Sequence, residues 1–146
     1  MINEFSSIYT DGTADSMTPL TALSMYDQFR ELTPVGRRGD RIIQRLADRL
    51  VEVDLLDRAA VLLDRQVKFR LRGKQKAIVG SKLALIRLLD RQPRLALDAL
   101  NESVSPGLDS RLALERKRLR SRSVFELGDS ESCLLYTSDA ADEVLG

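Results

Sequence analysis

Leu46-Ala47-Asp48-Arg49-Leu50 is echoed 37 residues later by Leu83-Ala84-Leu85-Ile86-Arg87, each stretch a Leu-Ala pair with a long side chain three residues on. The next residues agree at the same displacement, Leu56-x-x-Ala59-x-x-x-Leu63 against Pro93-x-x-Ala96-x-x-x-Leu100. Two antiparallel helices approach closely only where small side chains face each other and Leu fills the space above and below. A single helical hairpin cannot cover its own apolar face, so hairpins stack on one another. A further step of 37 residues carries Ala84 to Ser121 and Leu88 to Phe125, and places Gly128-Asp129 at the next turn.

Working outward, helical spacing of apolar residues predicts a run of helices. Thr18 caps a first one from Pro19 to Leu32, with Pro at its first position and Thr33-Pro34-Val35-Gly36 ending it. Gly39-Asp40 opens a second, Asp40 serving as N-cap and Ile42, Ile43, Leu46, Ala47, Leu50 and Val51 facing inward. A third spans Asp57 to Leu71 with Ala59, Ala60, Leu62, Leu63 and Val67 inward, closed by Gly73 as C-cap. A fourth covers Lys74 to Leu89 with Ile78, Val79, Leu83, Ala84, Ile86 and Leu88 inward. Pro93 starts a fifth, ending at Glu102, with Leu95, Ala96, Ala99 and Leu100 inward. The last runs from Asp109 to Leu127. The expected fold class is all-α: antiparallel helical hairpins stacked as a short solenoid over residues 19–132, after an irregular segment at 1–18.

This spacing resembles the tetratricopeptide repeat (TPR), over roughly residues 40–132. The family's large aromatic positions hold Ile43, Gly80 and Lys117 here, and Arg87 stands where a large apolar residue is usual, so the likeness is TPR-like. The stretch from Glu31 to Leu71 is also similar to part of long bacterial TPR-like proteins of unassigned function, which implies a longer parent and favours a bacterial cytoplasmic setting while leaving export open. The stretch Cys133-Leu-Leu-Tyr-Thr-Ser-Asp-Ala-Ala-Asp-Glu143 resembles something else, the in-frame translation of a transposon-end adapter used in sequencing libraries. Residues 133–146 are therefore expected to be an artefactual fusion and are set apart from the fold. Without them net charge moves from +1 to +4, because Asp139, Asp142 and Glu143 leave and no base does.

Composition narrows the function. The 146 residues hold no His, which removes the commonest general base and zinc ligand. The single Cys lies in the adapter-like tail, so thiol catalysis and internal disulfides are not expected. Gly73-Lys74 is followed by Gln75, and Lys68 occupies the place of a P-loop's first Gly. Arg38-Gly39-Asp40 spells an adhesion tripeptide, but a helix start accounts for it. Asp48, Glu52 and Asp57 sit beside Arg45, Arg49 and Arg58, as helix-surface pairs do. No apolar run approaches the ~18 residues of a membrane span. The reading is a chain with no enzyme activity and no cofactor or metal.

Two basic stretches remain, Asp64 to Lys76 with six bases and one acid, and Asp109 to Arg122 with six bases and two. The leading expectation is a protein-binding scaffold that holds a partner peptide or helix, in which first-helix residues Arg45, Arg49, Lys82 and Arg87 contact an acidic partner. The alternative is nucleic-acid binding through Arg65, Lys68, Arg72, Lys74, Lys76, Arg116, Lys117 and Arg120, among which only Phe69 could stack on a base. Apolar surface at Leu112, Leu119 and Phe125 would promote self-association of the fragment.

Overall fold

The computed structural model describes Glu4 and residues 17–145, with side chains for Glu4 and residues 17–129. The irregular segment expected at 1–18 lies, but for Glu4, Met17 and Thr18, outside the described residues, as do the side chains of the adapter-like tail. Six helices follow in order: α1 Pro19–Gln28, α2 Arg37–Glu52, α3 Leu56–Phe69, α4 Gly73–Leu89, α5 Pro93–Glu102 and α6 Ser110–Leu145. A single 3-10 turn, Arg30–Leu32, follows α1, and no strand occurs among the described residues. Each helix packs on its neighbour in the chain, α6 also touches α4, and α3 also touches α5. The chain is all-helical.

Short turns make the hairpins. Between α2 and α3, Asp54 adopts a left-handed φ of 62°; between α4 and α5, Arg91 adopts 59°. Leu55 N–H donates to Leu50 O at 2.8 Å and Asp54 N–H to Val51 O at 3.0 Å. In the other hairpin, Gln92 N–H donates to Arg87 O at 2.8 Å and Arg91 N–H to Leu88 O at 3.0 Å. These are the paired bonds of a Schellman motif, which satisfy the last carbonyls of a helix and reverse the chain. The two turns are 37 residues apart, bond for bond. The displacement read from Leu-Ala pairs is thus present in the backbone.

A core runs through the stack, built from Ile42, Leu46, Leu50, Leu63, Leu83 and Leu100, with Ala47, Ala59, Ala60, Ala84 and Ala96 where helices approach. Nearly every inward residue predicted for α2 and α3 is buried, with Val51 partly so, while Ile78 on α4 and Leu95 on α5 remain exposed. Thr18 does cap α1, its hydroxyl accepting from Thr21 N–H at 3.3 Å.

Several boundaries differ from expectation, each for a local reason. The first helix stops at Gln28 and the chain tightens into the 3-10 turn before Pro34. Asp40 is not an N-cap: α2 begins three residues earlier, with Gly36 at φ 78° as the cap, and Asp40 sits in the first turn with Arg70 on its carboxylate. Gly39 must lack a side chain there, because a Cβ would overlap Pro34 O and the Arg70 guanidinium. Gly73 does not close α3, which is capped at Arg70; it opens α4 with φ 59°. No turn forms at Gly128-Asp129, since α6 is continuous from Ser110 to Leu145.

The inward face of α6 is also corrected. Ser121 and Phe125 are exposed, Phe125 at 73%, while Leu112, Arg116, Leu119 and Ser123 are buried. Leu112 and Leu119 therefore offer no surface for self-association; of the three, only Phe125 does. Ala77, Gly80 and Ala84 of α4 correspond to Arg116, Leu119 and Ser123 at a displacement of 39 residues, so α6 is rotated in phase relative to the first two hairpins. Arg116 lies on the face so buried, its guanidinium in the groove between α4 and α5.

Candidate functional site

Arg116 is 9% exposed and pairs with no acid among the described residues. Its Nη1 donates to Ala77 O at 2.8 Å, Ser81 Oγ at 3.1 Å and Ser103 Oγ at 3.2 Å, and Nη2 donates to Leu100 O at 2.8 Å. Carbonyl and hydroxyl dipoles from two helices thus solvate one charge. Desolvation, then the nearby Arg120, pulls its pKa below the ordinary arginine value. Gly80 lets this node close, since a Cβ there would overlap the Ser103 side chain. In the first hairpin the matching positions hold Asp40 and Gln66, and Gln66 Nε2 donates to Asp40 O at 3.1 Å. Ser103 instead donates to Ala99 O at 2.6 Å, and Ala77 O accepts from Ser81 Oγ at 2.8 Å as well as from Arg116 of the next helix.

The four residues expected to face a partner are largely engaged within the chain. Lys82 pairs with Asp48 of α2, and Arg87 lies 3.3 Å from Asp57 of α3 with Gln92 at 3.5 Å. Arg49 donates to Met17 O, and Arg45 also has a partner in the structure. Lys82 and Arg87 clamp the second hairpin to the first. The second basic set is equally dispersed: Arg116 is buried, Lys68 bonds Asp64 at 2.9 Å and lies 3.8 Å from Glu102, and Lys74 lies 3.4 Å from Asp109. Arg120 donates to Asn101 Oδ1 at 2.9 Å. Arg65, Arg72 and Lys117 are exposed, and Lys76 is partly buried.

Sequence reasoning missed a cleft between α1 and α3, of about 380 Å³, lined by residues that include Tyr26, Arg30, Ile43, Arg65, Gln66 and Phe69. A second hollow of about 430 Å³ shares Arg30, Leu62 and Arg65 with it, and is also lined by Asp27, Asp57 and Arg58. Leu62 and Ile43 are buried, giving the first cleft an apolar base, and Phe69 is 82% exposed at its rim. Gln66 is fully buried, and its Oε1 accepts no hydrogen bond among the described residues. A buried acceptor left without a donor costs about 1–3 kcal/mol. Burial pushes the Tyr26 phenol above its ordinary value of 10.0, outweighing the Thr33 hydroxyl and the Arg70 and Arg30 charges that pull it down. Arg30 and Arg65 are exposed, whereas Arg70 is held by Asp40 at 2.9 Å and Pro34 O at 2.8 Å. The sequence signals for this site were Arg65, a member of the alternative basic set, and Phe69, an aromatic residue set among bases.

No group of three or more His, Cys, Asp or Glu residues that could hold a metal ion occurs among the described residues. Among them, too, no helix is long and apolar enough to cross a membrane. No protein-family model, curated protein or solved structure matches the chain.

Proposed function

We propose that this chain is a non-catalytic, TPR-like scaffold that binds a partner protein. The supporting observation is the repeated hairpin: two left-handed turns 37 residues apart, stacked helices clamped by Lys82–Asp48 and Arg87–Asp57, and an open cleft beside them. Helical stacks of this kind hold peptides through apolar anchors rimmed by charge. Nucleic-acid binding is the weaker reading, because half of its eight candidate cations are buried or bound to neighbours within the chain.

Selection of a random dodecapeptide display library against the full chain tests this, run at low salt and at high salt. A recurring peptide consensus that persists at high salt is the expected result. Failure to enrich any peptide, with single-stranded RNA bound and released steeply by salt, would overturn the scaffold in favour of nucleic acid.

A further inference from the structure

We infer that the α1–α3 cleft is the docking site and that its occupant is an acidic segment of a partner protein, with an apolar side chain next to its carboxylate. This rests on the scaffold reading and gives it a place and a chemistry. Arg30 and Arg65, from opposite walls, both line the cleft and its neighbouring hollow, and neither is paired with an acid among the described residues. Between them lies an apolar base of Ile43 and Leu62, and Phe69 stands almost wholly exposed at the edge.

The electrostatics choose between macromolecules. Beside the two arginines, Asp27, Asp57 and Arg58 line the adjoining hollow, and Asp57 already faces Arg87. A chain of phosphates following the groove would meet the Asp27 carboxylate. A peptide can place one acid against Arg30 and Arg65 and something neutral or basic beyond it. The cleft also differs from the residues expected to bind a partner, since Lys82 and Arg87 already hold acids of the preceding hairpin.

The test repeats the dodecapeptide selection on the intact chain, on the double variant R30E/R65E and on R118E, which alters an exposed arginine of α6 outside the cleft. Arg30 and Arg65 are surface side chains, and circular dichroism verifies that each variant stays helical. Phe69→Ser, which trims the rim without touching the core, is selected in parallel. The unaltered chain and R118E should enrich Asp or Glu beside an apolar residue. R30E/R65E should lose that enrichment by at least about tenfold or select Lys and Arg instead, as charge reversal at a contact requires. F69S should keep the acid and lose the apolar preference. An acidic consensus unchanged in R30E/R65E overturns the cleft but leaves the scaffold standing. No consensus from any of the four overturns both. Displacement of the selected peptide by single-stranded RNA or inorganic phosphate, abolished in R30E/R65E, overturns the choice of a peptide occupant.

Discussion

Gly80 carries a test of how tightly α4 and α5 approach. In a free helix, replacing Gly by Ala is worth about 1 kcal/mol in favour of Ala. Here the added Cβ overlaps Ser103, so Gly80→Ala is expected to destabilise instead, by about 1–3 kcal/mol, as overpacking does. Thermal unfolding followed by circular dichroism reads the sign directly, and Ser103→Gly in the same chain should recover part of the loss. Arg91 offers the opposite case. A left-handed φ costs an L-residue about 1–2 kcal/mol, less for Asp than for Arg, so Arg91→Gly should stabilise the chain slightly and Asp54→Gly less so. A loss of stability for Arg91→Gly would show that its side chain does more than turn the corner. Arg91 is not conspicuous in the sequence, and Gly80 stands out there only as a departure from the repeat family's aromatic position. Leu-Ala spacing reveals where helices touch, but the left-handed turns hold Asp and Arg rather than glycine. Gly80, for its part, is necessary only because of a serine 23 residues away.

Among the elements, α6 depends on one side chain. Arg116 bonds two carbonyls and two hydroxyls, so Arg116→Met removes four hydrogen bonds from a charged donor and should cost about 1–3 kcal/mol, although Ser81 and Ser103 keep their own bonds to α4 and α5. Chemical denaturation of R116M against R118M separates this from the loss of any arginine on the same helix. The sequence gives no warning of the role, since Arg116 stands in a run of bases that reads as a wet helix face. Where Gln66 bonds Asp40 O in the first hairpin, Ala77 O in the second accepts from Ser81 Oγ and from Arg116. The beginning of α6 is tied differently, through Lys74 and Asp109. Desolvation raises the Asp109 pKa, but the Lys74 hydrogen bond and charge and two backbone hydrogen bonds together hold it below the ordinary 3.8. A carboxyl depressed by folding stabilises above its unfolded value, and that stability is lost as pH falls through the folded value. Acid titration of stability should therefore be shallower below about pH 4 for Asp109→Asn than for the unaltered chain.

Across the whole molecule, helices touch mainly their neighbours in sequence, so stability should be graded rather than uniform. α4 packs against α3, α5 and α6, whereas α1 is a ten-residue helix resting chiefly on α2. Amide hydrogen exchange is expected to be slowest in α4 and fastest in α1; equal protection in both would mean the stack opens only as a unit. The helical class and the two central hairpins were legible because Leu and Ala at fixed spacing report burial. The phase of α6 was not, because extrapolating the period assumes an apolar contact where a guanidinium stands. The cleft was not either: it arises between α1 and α3, which lie far apart in sequence and have no shared pattern.

Because the turns at Asp54 and Arg91 repeat the same bonds, the stretch from Leu55 to Arg91 begins and ends at equivalent points of the backbone. A second copy of those 37 residues, spliced in after Arg91, would join Arg91 to Leu55 across a junction the chain already knows how to make. The molecule can thus be lengthened in whole modules, and its helical content should grow by one hairpin for each copy added.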